Sequence, residues 1–380
     1  MTQPAYAVAR TVASAVAEHL QLHRAALPPA DPAQPPLELL PSARQIELLI
    51  DAAFWASVRR EEGYIPKISL AFLRPVPEVC PLRFQHPMPL DPGALTHLAA
   101  AVERPGIHLG VWPADGELMV WGTTHLIPSF CFVVEVIAPG LLVLKHRPRH
   151  ESRKFVNVAV LEGDLVKIVD ERASLMEDCP ALLTSMLGFD TSVLHDDALN
   201  VQVQLALSMR RHGRGGILLV VPASTHAWRE SIVRPVRYAV EPVFCELSRL
   251  LDRRSQMPEH EWVDAMNREI DAIAGLTAVD GATVITNTYD LHAFGAKISR
   301  RDGGTPVEEI VVTEPVMGTA AIRMHPGQLG GTRHLSAAQF VHDQRDAVAL
   351  VASQDGRFTI FAWSACDGAV HAHRVETLLL

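Results

Sequence analysis

The chain has 380 residues, of which 48% are hydrophobic, 20% charged and 6% aromatic; this is ample material for packed cores, excludes global disorder, and suggests roughly two to three domains. Its 34 Lys and Arg stand against 43 Asp and Glu for a net charge of -9. That balance argues against a grip on polymeric DNA or RNA, which needs clustered cations, but leaves small nucleotides open because a few local groups can hold them.

In chain order, Ala and Val at helical spacing over residues 3–25 predict a helix, and the five prolines between Leu27 and Pro36 a linker or extended arm. A second helix is predicted from Ser42 to Arg60. Pro66 to Pro92 reads as one strand, Ile68 to Leu73, among irregular connections. From Gly106 to Asp170 the pattern is that of a strongly antiparallel meander. His108 to Trp112 and Leu118 to Trp121 form a hairpin around Asp115-Gly116, followed by strands at Phe132–Ile137, Leu141–Lys145, Phe155–Leu161 and Leu165–Val169.

Helical spacing returns at 172–187, 196–211, Val240–Arg254 and Glu259–Ile273. The sequence His212-Gly-Arg-Gly-Gly216 precedes an apolar strand, Ile217 to Val221. It reads best as a helix stop, the alternative being an anion loop with Arg211 and Arg214. Further strands are expected at Ala282–Asn287, Ala293–Ile298, Ile310–Thr313, Ala347–Ser353 and Phe358–Trp363, with a helix at Ser336–Arg345. The fold class is therefore mixed α+β. Its boundary is placed in the polar stretch Arg253 to His260, giving an N-terminal domain 1–255 (with a helical and Pro-rich leader, 1–40) and a C-terminal domain 256–380.

The cysteines Cys80, Cys131, Cys179, Cys245 and Cys366 are scattered, without metal-knuckle or redox spacing. No secretory leader pattern stands at the start, and the greasiest stretch, Phe130 to Leu144, is too short and interrupted to span a bilayer. A soluble, cytoplasmic protein with no membrane partner is expected. Of the 18 histidines, His371/His373 and His146/His150 have pairwise spacing but no Cys or carboxylate at ligand spacing, and are read as solvated surface. Neither Gly-x-Ser-x-Gly nor the P-loop pattern occurs.

Two features of the last 120 or so residues carry chemistry. Gly330-Gly331-Thr332-Arg333-His334-Leu335-Ser336 opens a helix. Glycines allow close backbone approach, free N–H groups and the macrodipole favour an anion, Arg333 adds a planar fork, and Thr332, His334 and Ser336 are possible donors. Taken alone, such a stretch is more often an ordinary loop with a hydroxyl cap. Asp280-Gly281-Ala282 enters an apolar strand and offers a carboxylate with little bulk beside it, suited to accept a proton or hold a divalent metal; its bland alternative is a turn. Asp367-Gly368-Ala369 repeats the tripeptide with no anion-binding sequence after it, and is taken as a turn.

Taken together, Asp280-Gly-Ala, a strand with Gly295, Gly-Thr-Arg-His at a helix start and the strand pair Ala347 to Trp363 resemble the catalytic domain of diadenylate cyclases, over about 260–370. In that family an Asp-Gly-Ala and a Gly-Thr-Arg-His-Arg motif form the nucleotide site. The resemblance implies a mixed sheet flanked by helices. It also implies condensation of two ATP into cyclic di-AMP and pyrophosphate with Mg²⁺ or Mn²⁺, in a homodimer or higher homo-oligomer whose C-terminal domains face each other. Asp280 would serve the ribose 3′-hydroxyl and the metal, with Arg333 and His334 as its catalytic partners. Gly281, Ala282 and Gly295 would line the nucleotide, and Gly331, Thr332, Arg333, His334 and Ser336 would cradle phosphates.

There are two departures from the family. Its second arginine is Leu335 here, and the connection Ser299 to Leu329 is long and carries Arg300, Arg301 and Arg323. Either one of these replaces the missing charge, or the loop is a lid or an oligomer contact. The region before the cyclase-like part resembles the probable sensor domain named DACNV, on its position and on His212 to Gly216, Ile217 to Val221 and Trp228. The expectation is a cyclase regulated by a sensor domain. The alternative is a catalytically weak or inactive nucleotide-binding sensor of the same fold, and a structural protein with coincidental turns is a remote third.

Overall fold

Ala9, Val12, Ala13, Val16, Ala17 and Leu20 recur on one face of a helix and are all buried. They form the inner stripe of α1, Ala7–Ala25, in a computed structural model that describes residues 5–25, 40–75, 82–128, 130–147, 155–170, 183 and 197–380. The proline-rich linker and nearly all of the helix expected at 172–187 lie outside the described residues. α2, Ala43–Ser57, starts in a capping box in which Ser42 and Gln45 satisfy each other's backbone N–H groups. Next come β1 (Ser69–Phe72), β2 (Leu82–Pro89) and α3 (Pro92–Val102). The Asp91 side chain caps α3, accepting from the Gly93 and Ala94 amides.

β3 (His108–Ala114) and β4 (Glu117–Thr124) are joined by Asp115-Gly116, both at positive φ, as a tight hairpin requires. β5 (Phe132–Ala138), β6 (Leu141–His146), β7 (Val156–Glu162) and β8 (Leu165–Ile168) follow. The sheet order is β2-β4-β3-β1-β5-β6-β7-β8. All neighbours are antiparallel except β1 and β3. The expected meander is therefore present, with β1 inserted into it. Residues of α1, α2 and α3 share one core with Leu70, Val111, Val134, Leu144 and Leu161.

The second sheet is built from β9 (Gly216–Val221), β10 (Tyr238–Phe244), β11 (Ala282–Thr286), β12 (Leu291–Ala296), β13 (Ile310–Thr313), β14 (Ile322–Met324), β15 (Val348–Ala352), β16 (Phe358–Ser364) and β17 (Ala369–Arg374). Its helices are α4 (Asp197–Arg211), α5 (Glu246–Asp252), α6 (Glu259–Leu276), a single turn α7 (Pro326–Leu329) and α8 (Thr332–Asp343). The strand order is β10-β12-β11-β9-β15-β16-β17-β13-β14. Ala337, Ala338, Phe340 and Val341 of α8 join Ile217, Leu219, Ala282, Val284, Ala349, Val351 and Phe361 of the sheet in one core. The fold is thus a mixed α+β architecture with two mixed sheets.

Two expectations are corrected here. Val240–Arg254 is not one helix: Tyr238–Phe244 is an edge strand, and helix begins only at Glu246. Pro242, which offers no N–H and fixes φ, was the local sign against a helix there. Nor does the chain divide near 255. The compact units are Met1–Val169 with Leu380, and Asp170–Leu379, because β9 and β10 hydrogen-bond into the second sheet and not the first.

Candidate functional site

The site is assembled by strand register. β9 and β11 run parallel with Ala282 opposite Ile217, while antiparallel β15 places Ala352 opposite Gly216. Gly215, Asp280-Gly281 and Ser353 therefore leave neighbouring strands at the same end of the sheet. β12 returns to that end, with Ala296 opposite Ala282.

Gly281 has φ +108°, and a Cβ there would stand 2.5 Å from the Gly295 carbonyl carbon and 2.8 Å from its oxygen. No other residue fits between those backbones. At Gly295, φ +57°, a Cβ would stand 2.8 Å from the Tyr238 ring and 3.2 Å from the Asp280 carbonyl oxygen. The two glycines hold the Asp280 turn against β12. Asp280 itself is exposed, and among the described residues its carboxylate has no ion pair or hydrogen bond. Ala282 is fully buried in the α8-facing core, where it packs and does not line an open surface.

α8 begins without a side-chain cap on Gly331. The His334 and Leu335 amides turn back to the Gly331 carbonyl, while those of Thr332 and Arg333 have no acceptor among the described residues. Such amides at the positive end of a 12-residue helix favour an anion. Arg333 is half-buried and no described carboxylate pairs with it. Its guanidinium lies against Gly215, where a Cβ would be 2.8 Å from Nη1. Arg333 and the Asp280 turn thus reach the same end of the sheet. Thr332 and Gly331 are exposed there and Ser336 is half-buried.

His334 plays a different part from the one its motif suggests. Its side chain is buried, its Nδ1 lies against the Gly330 backbone, and Nε2 is 3.4 Å from Thr359 Oγ1. Burial holds its pKa below the ordinary value, so the ring is neutral near pH 7 and braces the loop without adding charge. Arg333 remains as the motif's cation.

The long connection supplies no replacement from Arg301 or Arg323. Arg301 pairs with Glu230 at 2.8 Å and Arg323 with Glu309 at 2.9 Å, all four side chains about half exposed. Its first part is tied along α8: the Arg301 and Val307 amides donate to Asp343 and Gln339 at 2.9 Å, and Gln339 donates to the Thr305 carbonyl at 3.1 Å.

The histidine pairs are also corrected. His371, His373 and His146 are buried, not solvated; His150 lies outside the described residues. His371 meets Asp367 at 2.7 Å and His373 meets Thr313 at 2.7 Å. Burial, then His371, push His373 down to about 3. Asp367-Gly368 is the hairpin turn between β16 and β17, as expected.

The sequence alone did not reveal Gly215 as part of the site. The loop does stop α4, with the His212 and Gly213 amides returning to Ser208 and Arg210, but Gly215 also seats Arg333. The anion-loop reading of His212 to Gly216, set behind that of a helix stop, was the nearest signal, and it named Arg211 and Arg214, not Arg333, as the cations. Among the described residues no group of three His, Cys, Asp or Glu side chains is disposed to hold a metal. Asp280 alone suits an ion that arrives on phosphate oxygens, since Mg²⁺ commonly takes one or two protein carboxylates beside substrate phosphates.

A family model described as probable sensor domain DACNV matches residues 35–125, which lie in the first unit. The match ends well before the second unit. His212 to Gly216 and Trp228, on which the sequence resemblance to that domain rested, belong to the second unit, and Trp228 is buried in its core. No curated protein matches the chain.

Proposed function

We propose that the second unit binds ATP and acts as a diadenylate cyclase, joining two ATP into cyclic di-AMP with release of pyrophosphate, under the influence of a DACNV-like sensor region at 35–125. The observation that carries this reading is the shared sheet end. An exposed carboxylate, Asp280, and Arg333, neither of them paired among the described residues, come from the same end of the sheet, where Arg333 lies against Gly215 at an uncapped helix start. Phosphoryl transfer needs mainly positioning and charge stabilisation, and these groups supply both.

In this reading Thr332, Arg333 and the α8 amides hold the triphosphate. Asp280 orients the ribose 3′-hydroxyl and contributes one ligand to Mg²⁺ or Mn²⁺. The metal, when bound, neutralises charge on the phosphate oxygens. Because each unit presents one such nucleotide, the two reacting ATP molecules come from two copies of the chain. We place the protein in the cytoplasm, where ATP is supplied; no described helix is long and apolar enough to cross a membrane.

Leu335 supports a second reading, a sensor that binds nucleotide without turning it over. It is 39% exposed in the first turns of α8, where the resembled family has an arginine, and Arg301 and Arg323 are engaged elsewhere. Incubation with ATP and Mg²⁺ or Mn²⁺, read by mass spectrometry, separates the two. Cyclic di-AMP from the wild type and none from Asp280→Asn supports the cyclase. Tight ATP binding without product supports the sensor. If saturating ATP leaves the melting temperature unmoved, both readings fall.

A further inference from the structure

We propose that Gly215 is a positioning residue for the phosphate site, fixing where the Arg333 guanidinium lies; this rests on the ATP-binding reading above. The loop before β9 carries two glycines in the left-handed region, Gly213 at φ +64° and Gly215 at φ +71°. Their surroundings differ. A Cβ on Gly213 would meet nothing within 4 Å, whereas one on Gly215 would stand 2.8 Å from Arg333 Nη1, 3.2 Å from its Cζ and 3.2 Å from the Ala352 carbonyl oxygen.

The missing Cβ therefore creates the seat of the guanidinium between the start of β9 and the end of β15. The Ala352 backbone is held there by its pairing with Gly216, so the arginine, and not the sheet, is the part free to shift. No described carboxylate anchors Arg333 from another side. Among the described residues its place is then set by packing, and an added methyl group displaces it from the α8 amides with which it would share a phosphate. A bidentate fork is sensitive to such a displacement because its two N–H groups must align with oxygens together.

The pair of glycines supplies its own control. Both alanine variants put a side chain at a left-handed φ, but only Gly215→Ala touches Arg333. Binding of inorganic tripolyphosphate and of adenosine to the full chain is measured by calorimetry for wild type, Gly213→Ala, Gly215→Ala, Arg333→Ala and the Gly215→Ala/Arg333→Ala double variant. Gly215→Ala is expected to weaken tripolyphosphate roughly tenfold, the scale of one charge-assisted hydrogen bond, and to spare adenosine. Gly213→Ala keeps wild-type affinity for both, and Gly215→Ala adds nothing once Arg333 is gone.

Equal losses in the two glycine variants, or a full further loss in the Arg333→Ala background, overturn the proposal while leaving the ATP-binding reading intact. Absence of tripolyphosphate and ATP binding in the wild type overturns both. Should Gly215→Ala destabilise the second unit, its melting temperature decides: Arg333→Ala restores part of the loss if the clash is with the guanidinium, and no recovery refutes the role.

Discussion

Leu335 shows how much a single side chain can decide. It stands exposed two positions after Arg333, and at such a site a change of side chain shifts stability by only about 0.5 kcal/mol. Leu335→Arg therefore tests chemistry without disturbing the fold. If a missing cation limits turnover, cyclic di-AMP formation rises roughly tenfold, the worth of one charge-assisted contact, with the melting temperature unchanged. An unchanged rate would assign the limit elsewhere. His108 makes the corresponding case in the first unit. It is buried with Nδ1 2.7 Å from Ser69 Oγ. Burial is the largest influence on it, and its pKa is lowered to about 4, Glu135 opposing and Lys145 assisting. The folded value lies below the unfolded one, so its contribution is intact above about pH 6.5 and is lost as pH falls towards 4. That loss amounts to roughly 3 kcal/mol. Hydrogen exchange at the Leu70 and Leu109 amides should accelerate over this window, and His108→Gln should flatten the dependence.

At the scale of elements, legibility followed burial. α1, β9 and β11 bury a continuous or periodic apolar set and were readable. β2 was not: only its Phe84 and Met88 are even partly buried, and Pro87 and Pro89 are tolerated because it is an edge strand. The candidate site divides in the same way. Asp280 and Arg333 are visible as motifs, but the contact that seats Arg333 joins residues 118 positions apart in number, Gly215 and Arg333, and only the β9–β15 pairing reveals it. His334 misled because a polar residue in a polar motif was buried against Gly330 by the bend of its own loop. Gly281 joins both levels. Alanine there forces a left-handed φ of +108° and a Cβ 2.5 to 2.9 Å from backbone atoms of Gly295 and Ala296, so neither neighbour yields easily. Gly281→Ala should cost about 3 kcal/mol or more. Gly303→Ala, at φ +74° in open space, should cost about 1 kcal/mol. Urea denaturation of the second unit compares them, and equal costs would mean that the Asp280 turn is not held by β12.

For the whole molecule, the cyclase reading demands more than one copy. A single second unit offers one Asp280 and one α8 start, hence one bound ATP, whereas each product molecule joins two nucleotides through two transfers. Each transfer needs a 3′-hydroxyl oriented in one copy and a triphosphate held in the other. Product formed per subunit should therefore rise with protein concentration wherever sedimentation finds monomers, and level off once pairs dominate. Asp280→Asn protein should poison the wild type. A mixed pair still binds two ATP, but only one of its hydroxyls is oriented, so it completes one transfer and cannot close the ring. With equal amounts of the two proteins under pairing conditions, about half of the pairs are mixed and the rate per wild-type subunit should fall by about half, with a linear dinucleotide accumulating in mass spectra. Arg333→Ala should poison in the same way, because it removes the triphosphate grip from one side of the pair. If the wild-type rate is indifferent both to dilution through the monomer range and to an excess of Asp280→Asn, the two nucleotides do not come from facing copies, and the pairing on which the cyclase reading depends is wrong.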